Sequence, residues 1–173
     1  PNNSVVRPCD ARETYGAWKW ALLSKDVPTC LILSRQGLPL NKNSQYDISR
    51  GAYIISKKEN AVGTILATGS EVSLAISAQE LLESEGIYVD VVSMPCVEYF
   101  EKQDKQYKDS VLRFGKAKTI AIEMLSSLGW YKYADTVMGI DTFGTSAPNK
   151  DAIKRFDFTK EHLASVVKEV INK

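Results

Sequence analysis

Residues 64–94 read TILATGSEVSLAISAQELLESEGIYVDVVSM. Thr64–Thr68 is a short apolar run that reads as a strand. Gly69-Ser70 breaks it and opens a helix. Val72, Ala75, Ile76 and Leu82 then recur at helical spacing, which predicts a helix to Glu85 with an inward face, ended by Gly86. Tyr88–Met94 is again a strand, stopped by Pro95. Two strands separated by an amphipathic helix form the unit of a parallel sheet, because parallel neighbours need a long crossover.

The pattern extends in both directions. Towards the amino end, Val5-Val6 reads as a strand, and Asp10 caps a helix with Glu13 in capping-box spacing. Ala11, Thr14/Tyr15, Trp18 and Leu22 fall on one face of that helix. Thr29–Ser34 is a further strand, and the polar stretch 37–50 reads as a linker. Ala52–Ser56 is a short strand before the quoted segment. Beyond it, residues 97–114 form short helical pieces, Lys118–Glu123 a strand, Ser127–Tyr133 a helical turn and Thr136–Asp141 a last strand. Thr159 caps a final helix whose face is Leu163, Val166, Val167, Val170 and Ile171. The alternation predicts an α/β fold: three layers, α/β/α, around a mainly parallel sheet.

Composition narrows the function. A net charge of +1 gives no field that favours nucleic acid or an acidic membrane surface. The apolar runs are too short to span a bilayer, and no secretory leader is legible. The absence of an opening Met reads as a fragment. Cys9, Cys30 and Cys96 are odd in number and far apart, which fits free thiols in a reducing cytoplasm. With one histidine and no CxxC pair, a zinc site is not expected.

Each candidate site has a plainer reading beside it. ATGSEVSLA (67–75) could hold a phosphate at a helix start, but Ser70 serves more simply as an N-cap and Glu71 would repel an anion. His162 is the one histidine and sits in the first turn of the last helix, and no GxSxG motif accompanies it to form a hydrolase triad. Glu123 ends a strand at the sheet edge where ligands bind in such folds, or it caps the amides of Ser126 and Ser127. Trp130, Tyr131 and Tyr133 read as packing, because no basic stripe accompanies them. Arg35 stands at a strand end beside Gly37, a residue that lets backbone come close. Its guanidinium is either a fork for phosphate or half of a surface salt bridge.

Several stretches, in order, resemble transketolase. They are PNNSVVRPCDARET (1–14), LILSRQGLPL (31–40), GAYIIS (51–56), ILATGSEVSLA (65–75), VDVVSMPCVEYFEKQDKQYKDSVL (89–112), IAIEMLSSLGWYKY (120–133), GIDTFGTSAP (139–148) and FDFTKEHL (156–163). The resemblance is to the last third of that family's polypeptide. It implies that residues 1–40 end the pyrimidine-binding domain, 41–50 link, and 51–173 form the C-terminal domain. It further implies transfer of a two-carbon ketol unit between sugar phosphates with thiamine diphosphate and magnesium, at sites between two subunits of a homodimer. The family's Gly-Asp-Gly cofactor motif is missing from this sequence. No catalytic, cofactor-binding or metal-binding residue is therefore expected here, and the chain alone is expected to be inactive. One family site residue matches: the arginine of LSRQ, Arg35, which contacts the substrate phosphate, with Ser34 and Gln36 positioning it at most. Gly37 replaces a bulkier polar residue of many relatives. Related thiamine enzymes (dihydroxyacetone synthase, 1-deoxyxylulose-5-phosphate synthase) and a non-catalytic module with this fold are the alternatives.

Overall fold

The computed structural model describes residues 2–172. Its elements are β1 (Ser4–Val6), α1 (Ala11–Leu23), β2 (Thr29–Leu31), β3 (Tyr53–Ser56), β4 (Thr64–Ala67), α2 (Glu71–Ser84), β5 (Asp90–Ser93), α3 (Val97–Glu101), α4 (Lys105–Val111), β6 (Thr119–Ile122), β7 (Thr136–Met138), α5 (Asn149–Phe156) and α6 (Lys160–Ile171). Tight 3-10 turns occupy Lys116–Lys118 and Leu128–Lys132.

Two sheets result. β1 and β2 pair in parallel, with Val6 opposite Leu31. The larger sheet has the order β3-β5-β4-β6-β7; only β3 runs antiparallel to its neighbour. Its central strands β4, β5 and β6 are buried throughout because both faces are covered. Ile65, Val91, Ile120 and Ile122 join a core with α2 and α6, through Val72, Ala75, Leu82, Leu163 and Val167. Their neighbours Leu66, Val92 and Ala121 point the other way, into a second core with Phe100, Val111, Trp130 and Tyr133. Successive strand residues thus feed opposite layers, which gives the expected mainly parallel three-layer fold.

A third, smaller core joins the first segment to the rest: Val6 and Ala17 pack with Ile48, Cys96 and Tyr99. Chain entry into β3 needs a glycine. Gly51 has φ +78°, and a Cβ there would lie 2.2 Å from the Phe100 nitrogen.

The structure refines or departs from the sequence reading at several elements. β2 stops at Leu31 because its one partner, β1, is three residues long; the last bond runs from Ile32 N–H to Val6 O (2.9 Å). β7 ends at Met138, where Asp141 turns to bind Ser126 and Ser127. Tyr15, Trp18 and Leu22 of α1 share one face as expected; that face, whose direction the periodicity leaves open, turns outward, and the buried side is Glu13, Gly16 and Ala17. Helix α5 was not expected, because no residue in it is buried. Its legible signals are Pro148 ahead of it, Asp151 in its first turn and Lys154-Arg155 in its last.

Candidate functional site

The loop 32–40 leaves β2 and carries Arg35. Ser34 Oγ donates to Gln36 O at 2.9 Å and tightens the turn around the arginine. The Arg35 side chain is exposed, and it has no hydrogen bond or ion pair among the described residues. The surface salt bridge weighed against phosphate binding is therefore not formed. A shallow cleft of about 270 Å³ lies beside it, lined by Pro8, Asp10, Thr14, Leu33, Ser34 and Leu38. Gly37 does not serve a close backbone approach: a Cβ there would meet nothing within 4 Å, and its φ is not positive.

The loop is held from behind by the start of α1. Asp10 caps the helix, accepting from the Arg12 and Glu13 amides (3.0 and 3.2 Å). Its other oxygen accepts from the backbone and side-chain nitrogens of Asn41 (2.9 and 3.4 Å). Arg12 donates to the carbonyls of Asn41 and Lys42. Both ends of the 32–40 loop are thus pinned while its middle faces solvent.

Beneath it lies a buried polar centre of which the sequence showed only the helix start, Asp10 with Glu13. Glu13 is fully buried and accepts three bonds of 2.7 Å, from the Cys9 N–H, the Tyr53 hydroxyl and the Ser93 hydroxyl. Burial raises its carboxyl above the ordinary range, although the three donors pull the other way. Burial also pushes up the Cys9 thiol, with Glu13 adding to the shift. The Cys96 thiol is pushed up to about 12 by burial. Neither buried thiol has the depressed pKa of a reactive cysteine.

The other expected candidates have structural surroundings. Glu123 is buried and pairs with the Arg7 guanidinium. It does not cap Ser126 or Ser127, whose donors go to Asp141 instead. Burial holds the Glu123 carboxyl above its usual range; neighbouring Glu71 adds to this and Arg7 opposes it. Ser70 heads α2 but makes no capping bond. Its backbone is already helical, and its hydroxyl donates to Glu71 Oε2 (3.0 Å). The Gly69 N–H donates to Arg7 O (3.1 Å), and buried Glu71 accepts from the Met124 N–H (3.2 Å), so this junction offers an anion little. His162 does have an acid within reach, Asp157, with Nδ1 2.9 Å from its carboxylate, in a surface pair at the start of α6. Trp130 and Tyr133 are buried packing residues, whereas Tyr131 is half exposed. Among the described residues no group of three or more His, Cys, Asp or Glu could hold a metal ion. No helix among them is long and apolar enough to cross a membrane.

Comparison with known proteins bears on these positions. The family described as transketolase-like TK C-terminal domain matches residues 51–159. A transketolase of Halalkalibacterium halodurans is 46% identical over 179 residues, covering 99% of this chain and 27% of its own length. One of Bacillus subtilis is 45% identical over 182 residues, covering 100% and 27%. Among solved structures, a Pichia stipitis transketolase in complex with sedoheptulose 7-phosphate superposes with a TM-score of 0.94 at 39% identity, covering 99% of this chain and 25% of that one. A transketolase from Leishmania mexicana gives 0.94 at 39%, covering 99% and 26%. The chain spans about a quarter of the length of the relatives it matches.

Proposed function

The chain belongs to the transketolase family, as its C-terminal part, and on that footing we propose that it serves the transfer of a two-carbon ketol unit between sugar phosphates. Its own contribution to the site is Arg35, which binds the substrate phosphate. The observation that carries this is an exposed guanidinium with no partner among the described residues, on a loop pinned at both ends. A relative of the same fold is described in complex with a sugar phosphate, and the planar fork of arginine suits that group. Ser34 and Gln36 shape the turn.

Thiamine diphosphate, its magnesium and the groups that act on them belong, in this reading, to the remainder of the polypeptide. Residues 1–40 end its pyrimidine-binding domain, 41–50 link, and 51–173 are the C-terminal domain. The assembled enzyme is a cytoplasmic homodimer. This chain binds and orients the phosphate end of the sugar and supports the loop that does so.

The test is Arg35→Ala in the complete polypeptide. A charged hydrogen bond contributes roughly 1.5–3 kcal/mol, so kcat/KM for a phosphorylated sugar should fall by about 10- to 150-fold. KM should carry most of that change. An unphosphorylated counterpart should be nearly unaffected, and Arg35→Lys should recover only part of the loss. An unchanged ratio of kcat/KM between the two sugars, in a folded variant, removes the phosphate role.

A further inference from the structure

The larger sheet contains a topological switch point. From β4 the chain passes through α2 to β5 on one side, then through α3 and α4 to β6 on the other side of β4. Open α/β sheets receive ligands in the crevice outside the carboxyl ends of the strands at such a point. Here the crevice is bounded by Thr68-Gly69 after β4, Pro95 after β5 and Glu123 after β6.

We propose that Arg7 is an internal ligand of this switch point, and that its pairing with Glu123 is the lock that fixes the β1–α1–β2 segment to the five-stranded domain. One residue reaches the ends of all three central strands. Its carbonyl accepts from the Gly69 N–H (3.1 Å) and lies 3.4 Å from Thr68 Oγ1. Its N–H donates to Pro95 O (2.8 Å). Its guanidinium Nη1 donates to Glu123 Oε2. Glycine is suited to position 69 by its φ of +56°; a Cβ there would lie 3.8 Å from Arg7 Cβ and 3.9 Å from Arg7 O. Next to Arg7, Val5 N–H donates to Glu98 Oε2 (3.2 Å).

The charges in the crevice select a cation. Glu71 and Glu123 are both buried there, and Arg7 is the cation paired with Glu123 among the described residues. Glu123 Oε1 is buried without a hydrogen-bond partner among the described residues, so losing Arg7 would leave that carboxylate without a side-chain partner among them. Where other folds of this class hold a phosphate, this one holds a guanidinium from its own chain. The lock is passed onward: Val6 O accepts from Ile32 N–H (2.9 Å), at the root of the loop that carries Arg35. A sheet of two short strands is marginal by itself, so its position depends on such an anchor.

The test uses the full chain with Arg7→Met, Glu123→Gln, the double variant and Arg7→Lys, read by thermal unfolding and amide hydrogen exchange. Removing one partner of a buried pair should lower Tm by roughly 6–20 °C for Arg7→Met. Exchange should rise at least about 10-fold at Val5, Arg7, Gly69 and Ile32, while Leu66 and Ile120 inside the sheet keep their protection. The double variant should regain at least half of the lost Tm, because position 123 no longer carries a buried charge without its cation. Lys105→Met, which breaks an exposed pair with Asp109, is the control. A Tm shift for Arg7→Met no larger than the control's overturns the proposal. So does a double variant no more stable than Arg7→Met, or protection lost equally at Leu66 and Ile120. If Arg7→Met does not fold, Arg7→Lys and Glu123→Gln decide: faster exchange at the same four amides supports the lock, and unchanged exchange in both overturns it.

Discussion

Glu13 is a carboxylate with no exposure and no cation paired with it among the described residues. It is tolerated because three donors converge on it. Burial still raises its folded pKa above the unfolded value. Such a group favours the folded state below its unfolded pKa, and that contribution is lost as pH rises through the folded pKa. Glu13→Gln removes the titration but turns an amide nitrogen towards one of the three donors, at a cost of about 1–3 kcal/mol. The variant should therefore be less stable, and its deficit should shrink as pH rises from 4.5 to 8. Urea unfolding of both proteins across that range checks this; a deficit that grows with pH contradicts it. The sequence showed half of this centre. Asp10 with Glu13 was legible as a helix start, although Glu13 returns to the Cys9 amide rather than to that of Asp10. The hydroxyls of Tyr53 and Ser93 lie 40 and 80 residues away, and Arg7 pairs with Glu123 across 116. No local pattern encodes such meetings. Arg35 could be singled out from local features, a charge and a turn, but the expected strand end was not its setting: β2 stops at Leu31 and Arg35 lies in the loop beyond it.

Among the elements, those with a dense apolar period matched their expected places. The α2 and α6 faces are spaced as helices must be: Val72, Ala75, Leu82, Leu163, Val167 and Val170 are buried, and Ile76, Val166 and Ile171 pack partly buried against the same core. α5 was missed because it buries no residue, and β2 was overdrawn because a strand's length is set by its partner. The stretch 37–50, read as one linker, divides in two. Gly37, Pro39 and Leu40 are exposed, continuing the exposed run from Ile32, whereas Asn41, Ser44 and Ile48 are buried and Asn41 is tied to Asp10. Lys42 O accepts from Arg12, and Gly51 N–H donates to Ile48 O, so both later basic positions lie in fixed backbone. Proteolysis follows local opening. Between residues 30 and 52, brief trypsin treatment should cut first after Arg35, ahead of Lys42 and Arg50. Mass spectrometry of the early fragments reads this directly, and a first cut after Lys42 or Arg50 would show that the loop is better held than its bonds suggest.

At the scale of the whole molecule, the two parts differ in how complete they are. The five-stranded sheet is covered on both faces, with α2 and α6 on one side and α3 and α4 on the other. The β1–β2 sheet has two strands, and its crossover helix α1 turns Tyr15 (59% exposed), Trp18 (52%), Leu22 (78%) and Leu23 (62%) outward. Large apolar side chains grouped on one helix face mark a surface that packs against something. The chain spans 27% of its relatives' length, and the reading proposed above assigns that face to the rest of the pyrimidine-binding domain. The sequence showed the stripe but not its direction, because periodicity places residues on one face without saying what lies opposite. When the chain is prepared alone, the stripe has no partner but another copy. It should then self-associate with a concentration dependence visible by light scattering in the micromolar range. Trp18→Glu with Leu22→Lys should return it to monomer. Tm should change little, because surface substitutions away from buried groups usually shift stability by no more than about 0.5 kcal/mol. In the complete polypeptide the same pair should instead destabilise the fold, since the charges would be buried at an internal interface. A chain that stays monomeric at high concentration, together with a complete polypeptide indifferent to the pair, would mean that this face is solvent-exposed in both.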